Sequence, residues 1–133
     1  MILHLDTNLL IDLVTAGSPH IALIRRWLSE GEQLATSAIA WSEFCNGPHT
    51  TEQKDAVFAV LERRVADFDW RQAENASRLF HRTGRRRGSH ADCMIAASAM
   101  AAGVPVATRN IKDFERFVAF GLQLRGVETI AES

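Results

Sequence analysis

Apolar and polar positions along the chain follow two periods. Ile2 to Asp6 is a short apolar run that ends in an acid and is followed by the turn-forming Asn8, and Pro105 to Thr108 is a second such run after the Gly103 stop. Both read as buried strands of a parallel sheet. Gln33 to Thr36 and Leu122 to Arg125 are weaker third and fourth candidates. Helical spacing fills the segments between them. Ser18-Pro19 opens a stretch in which Ile21, Ile24, Trp27 and Leu28 form a stripe that Gly31 closes, as expected of a proline-started helix. Thr50 to Phe68 carries Val57, Phe58, Leu61 and Val65 at the same spacing, and Arg71 to Thr83 carries Ala73, Ala76 and Phe80. A short helix is expected over Ala38 to Asn46. Ser89 or His90 opens an alanine-rich helix that runs past Asp92, Ile95, Ala96 and Ala99 to Gly103, with side chains small enough for close packing on a sheet. Strands alternating with helices predict a βαβ arrangement.

A chain of 133 residues with 47% hydrophobic and 23% charged residues can bury a sizeable core, and no repeat or linker-like tract divides it. One domain over residues 1–133 is expected. The N-terminal residues lack the basic region and long apolar core of a signal peptide, and Met94 to Ala107 is too short to cross a bilayer. A cytoplasmic protein with no membrane association follows as the expectation. Cys45 and Cys93 show no metal-ligating spacing and read as free thiols. The formal net charge of −1 advertises no global attraction to nucleic acid, yet eight of the fifteen basic residues fall between Arg63 and Arg87. A local basic surface is expected there. The five histidines show neither metal spacing nor a nucleophile partner; His4, between leucines, reads as structural.

Acidic residues change the picture more. Asp6 stands where the first strand ends, and Thr108-Arg109-Asn110 where a later one ends; in open parallel sheets ligands bind beyond the carboxyl ends of strands. Asp92 lies in the first turn of its helix, where free N–H groups stabilise an anion, and Glu43 lies on the short helix over Ala38 to Asn46, in a segment expected to be largely buried. Carboxylates brought together at ~5 Å repel by about 3 kcal/mol per pair at an effective dielectric of ~20. Such a cluster calls for a cation, and an all-oxygen site suits Mg²⁺ or Mn²⁺ and metal-assisted phosphodiester hydrolysis.

The pieces Asp6-Thr7-Asn8, Ser42-Glu43-Phe44, Ala91-Asp92-Cys93-Met94-Ile95-Ala96-Ala97 and Ala107-Thr108-Arg109-Asn110-Ile111-Lys112-Asp113-Phe114 resemble, in order and spacing, the PIN domains, and within them the VapC-like toxins of type II toxin–antitoxin modules. The resemblance implies a three-layer α/β/α sandwich with a central parallel sheet, RNA cleavage, a homodimer and inhibition by a VapB-like antitoxin. It also implies Mg²⁺ or Mn²⁺ held by Asp6, Glu43, Asp92 and Asp113, which would be both metal ligands and catalytic residues.

One departure stands out. The last motif of the family offers an acid at the position of Asn110 or of Asp113, and here only Asp113 is charged. Asn110 reads as the cap of a helix starting near Ile111, with Asp113 either helping to satisfy its first turn or serving the metal. Thr7, Asn8, Thr108 and Asn110 read as residues that orient the carboxylates, with turn formation the competing role of Thr7, Asn8 and Thr108. Arg85, Arg86 and Arg87, between Gly84 and Gly88, read as RNA-phosphate contacts or as a solvated loop. Asp12 reads as a solvated helix residue. Two other functions remain: a non-catalytic PIN-like module that binds RNA or protein, and an aspartyl-phosphate phosphatase or receiver, which Asp6-Thr7-Asn8 fits less well.

Overall fold

A computed structural model describes residues 1–129; residues 130–133 of the domain expected over 1–133 lie outside the described residues. The chain runs β1 (Ile2–Leu5), α1 (Thr7–Asp12), α2 (Ile21–Ser29), β2 (Gln33–Ser37), α3 (Ala38–Asn46), α4 (Thr51–Val60), β3 (Val65–Ala66), α5 (Trp70–Arg82), α6 (His90–Ala102), β4 (Val106–Thr108), α7 (Ile111–Phe114), a 3₁₀ turn (Glu115–Phe120) and β5 (Leu124–Gly126). All strand pairs are parallel, and the order across the sheet is β3-β2-β1-β4-β5. β1 is the centre, with Leu3 opposite Leu34 and Leu5 opposite Ala107.

The order explains the layers. From β1 the chain steps outward through β2 to β3, then returns past β1 to β4 and β5, so right-handed crossovers put α1–α4 on one face and α5–α7 on the other. The fold is thus an α/β/α sandwich, and its central strands β1, β2 and β4 are largely buried, as continuous apolar runs require. Leu3, His4 and Leu5 are all buried.

Local chemistry fixes the helix ends. Ser37 accepts from the Ala40 N–H to start α3, Thr50 and Gln53 form a reciprocal capping box on α4, and Asp69 accepts from the Gln72 N–H on α5, each meeting an otherwise unsatisfied donor. α6 buries Cys93, Ile95 and every residue from Ala96 to Ala99, packs on β2 and β4, and stops at Gly103, whose φ of 68° suits glycine.

One expected element is different. The helix predicted over Thr50 to Phe68 ends at Val60, and the chain forms β3 beyond it. Arg63 N–H reaches back to the Phe58 carbonyl and Glu62 N–H to that of Ala59, a Schellman closure whose left-handed position is filled by Glu62 at φ 50° rather than by glycine. A stop written in glutamate leaves no mark in a hydrophobic pattern. Val65, taken for part of the helix stripe, instead pairs opposite Thr36 as an edge strand.

Candidate metal centre

Because all five strands are parallel, every strand C-terminus faces one edge, and the switch in chain direction falls between β1 and β4, where a crevice is expected. Asp6 follows β1 at that point, and Thr108 ends β4 beside it. Asp6 is 4% exposed and Thr108 fully buried. The Thr108 hydroxyl donates to Asp6 Oδ2 at 2.6 Å, and Thr7 N–H donates to Asp6 Oδ1 at 2.8 Å, so Asp6 is at once the N-cap of α1 and an anchored carboxylate. Thr7 does more: its hydroxyl donates to Glu43 Oε1 at 2.8 Å and ties α3 to α1. Asn8 Nδ2 lies 3.5 Å from Asp6 Oδ2 and 3.4 Å from Thr108 Oγ1. Thr108 Oγ1 in turn accepts from the Asn110 N–H at 2.9 Å. The hydroxyl of one buried threonine thus ties the segment after β1 to the turn after β4.

Repulsion couples the remaining acids to this group. Burial raises the Asp6 carboxyl above its ordinary range against the hydrogen bonds from Thr108 and Thr7, and Glu43 and Asp113 push it further. Asp92 is raised to about 6, first by burial, then by Asp6 and Asp113 and weakly by Glu43, with Arg116 opposing. Each of the four expected acids is therefore felt by at least one other. Asp6 and Asp92 thus carry more negative neighbours and burial than their nearby cations offset.

Some details differ from expectation. Glu43 is exposed, not buried, since α3 turns Ala40 and Phe44 inward and leaves position 43 outward. Asn110 occupies the N-cap position of α7, but its side chain makes no capping bond; its N–H, not its amide, engages the site. Asp113 pairs with Arg86 at 3.3 Å. Arg87 lines a small pocket of about 100 Å³ with Arg86, Asp92, Asp113 and Arg116, while Arg85 turns back to His81 Nδ1 at 2.9 Å. Asp12 is 5% exposed rather than solvated, and pairs with Arg109 at 3.1 Å. Arg116 also went unread. Its guanidinium nitrogens are buried near Asp92 and the Cys93 thiol. Neither Arg109 nor Arg116 sits on a periodic pattern that marks it out, although Arg109 stands between two motif residues, Thr108 and Asn110.

Among the described residues no three His, Cys, Asp or Glu side chains are grouped closely enough, as they stand, to hold a metal ion. The donor chemistry nevertheless fits a hard divalent cation: four carboxylates and no Cys or His, at the carboxyl edge of the sheet, with Asp6 and Asp92 each disfavoured as anions by burial and by the other acids. Asp6, Glu43, Asp92 and Asp113 are the residues that would hold it. No helix among the described residues is long and apolar enough to cross a membrane.

Residues 3–119 match the family model of the PIN domain. Among solved structures, the chain is similar to VapBC2 from Rickettsia felis bound to a DNA fragment from its promoter (TM-score 0.71, 23% identity, covering 96% of this chain and 100% of that one). It is also similar to DNA-bound VapBC from Salmonella typhimurium (TM-score 0.67, 27% identity, 95% and 98% covered). A third similarity is to VapC20 from Mycobacterium tuberculosis, a toxin that cleaves the sarcin–ricin loop (TM-score 0.62, 18% identity, 92% and 96% covered). No curated protein sequence matches the chain significantly.

Proposed function

The chain belongs to the PIN domain family, and from that premise we propose that it is a Mg²⁺- or Mn²⁺-dependent endoribonuclease, the toxin of a type II toxin–antitoxin module. Asp6, Glu43, Asp92 and Asp113 hold the cation in this reading, and Thr7, Asn8, Thr108 and Asn110 orient them. The observation that carries it is the mutual charge of the four acids at the carboxyl edge of the sheet, with Asp6 fixed by the Thr108 hydroxyl at 2.6 Å. A divalent cation at such a site lowers the pKa of bound water and neutralises charge on a phosphodiester. The protein's own contribution is to keep Asp6 immobile, to hold Glu43 within reach through Thr7, and to present Arg86 and Arg87 beside Asp92 and Asp113, where guanidinium groups suit RNA phosphates.

The same reading makes the protein a single cytoplasmic domain that homodimerises and is neutralised by a small VapB-like antitoxin, as the VapBC pairing of the Rickettsia and Salmonella proteins suggests. Purified protein is expected to cut RNA with Mn²⁺ or Mg²⁺, to stop with EDTA, and to lose activity in Asp6→Asn. Full cleavage under chelation would sink the reading. One observation favours a second one, a non-catalytic PIN module that binds RNA or protein: no three acids among the described residues are grouped as ligands. RNA retention without cleavage at any Mn²⁺ concentration, unchanged when all four acids are neutralised, would establish it.

A further inference from the structure

Asp12 and Arg109 form a buried charge contact that the proposed chemistry leaves unused. Asp12, at the end of α1, is 5% exposed, yet it is not a ligand candidate. Its Oδ1 accepts from the Ser18 hydroxyl at 2.9 Å, and its Oδ2 lies 3.1 Å from Arg109 Nε and 3.4 Å from His20 Nδ1. The arginine contact is one of charge rather than an aligned hydrogen bond. Arg109 lies between Thr108 and Asn110, and its own N–H points to Asn8 Oδ1 at 3.4 Å. Asn8 Nδ2 then faces both Asp6 Oδ2 and Thr108 Oγ1. A continuous chain of contacts runs from the Asp12 carboxylate through Arg109 and Asn8 to Asp6.

Burying a carboxylate is costly without a partner of opposite charge. A mere fastening of α1 to the turn before α2 would need only Ser18 and His20. The guanidinium adds something else, because it draws the turn after β4 against α1. That turn follows Thr108, whose hydroxyl anchors Asp6, and it leads directly into α7 with Asp113. We propose that Asp12, through Arg109, is a positioning pair that sets the β4–α7 turn and with it the orientation of Asp6 and Asp113. This rests on the ribonuclease reading only in naming what the positioned acids do.

Outer partners of metal ligands are worth roughly 10- to 100-fold in metal affinity or activity. The test compares the full chain with Asp12→Asn, Arg109→Gln, their double variant, and Ser18→Ala. It measures kcat and KM for RNA, the half-saturating Mn²⁺ concentration, and the side-chain amide resonances of Asn8. Asp12→Asn and Arg109→Gln are each expected to lose about tenfold or more in kcat or Mn²⁺ affinity with KM unchanged, and to shift the Asn8 amide. The double variant is expected to be no worse than either single, as partners acting through one contact are. Ser18→Ala is expected to lose stability alone. Arg109→Gln raising KM alone would make Arg109 an RNA contact and overturn the proposal. So would Ser18→Ala matching Asp12→Asn, or an unmoved Asn8 amide. If the wild-type protein cuts no RNA, the ribonuclease reading falls, while Mn²⁺ affinity and the Asn8 signal still decide the positioning role.

Discussion

Thr108 carries more of the site than its size suggests. Its hydroxyl is fully buried, donates to Asp6 and accepts from Asn110 N–H, with Asn8 Nδ2 also facing it. Thr108→Val keeps the shape and deletes these bonds; a hydrogen bond to a charged group is worth roughly 1.5–3 kcal/mol. We expect Thr108→Val to lower RNA-cleaving kcat about 10- to 100-fold while Thr108→Ser stays close to wild type, as steady-state kinetics at saturating Mn²⁺ will read. Two other groups, the buried His4 and the half-buried Asp92, set opposite pH slopes. Burial lowers His4 from 6.5 to about 4, so the unfolded chain holds more protons than the fold between those values, and the stability tied to His4 is lost as pH falls through that window. Asp92 is raised from 3.8 to about 6; here the fold holds more protons, and stability is lost as pH rises from about 4 to 6. The two offset each other in metal-free protein. His4→Met removes one side of that balance, so its urea midpoint in EDTA should fall more steeply than wild type's between pH 4 and 6. Parallel slopes for the two proteins would contradict the assignment.

At the scale of elements, β5 and α7 meet with no room to spare. A Cβ at Gly126 would come within 2.8 Å of both Cγ1 and Cδ1 of Ile111, the first residue of α7. Gly126→Ala is expected to destabilise by about 1–3 kcal/mol, and to lower cleavage by shifting the helix that carries Asp113. Adding Ile111→Ala should restore both melting temperature and rate; a double variant as damaged as the single would show that the clash lies elsewhere. Legibility in the sequence also divides by element. β1, β2, β4, α3 and α6 could be read because short apolar runs and a small-residue stripe are local signals, and β1, β4, α3 and α6 each carry or adjoin an acid in a recognisable motif. β3 could not, because a glutamate fills the turn before it and two residues make no pattern. The burial of Asp12 escaped for a different reason, because it depends on Arg109, a neighbour distant in the chain, while the exposure of Glu43 follows from which face of α3 turns inward.

For the whole molecule, the proposed reading has a bound cation offset the cost of gathering acids at one edge. Bound ligand stabilises the fold by about 2.7 kcal/mol at a hundred times its dissociation constant. Mn²⁺ or Mg²⁺ is therefore expected to raise the melting temperature, and to do so less at pH 5 than at pH 7.5, because Asp92, at about 6, must lose its proton to bind. Scanning calorimetry with and without EDTA at both pH values checks this; an equal rise at the two would argue that the ion sits away from Asp92. β1 lies at the middle of the sheet and pairs with β4, although a hundred residues separate Leu5 from the strand that flanks it. During translation, then, Asp6 leaves the ribosome early but gains its Thr108 partner only when most of the polypeptide has followed. On the ribonuclease reading, a nascent chain stays harmless to the RNA of the machine that is making it until synthesis is almost finished.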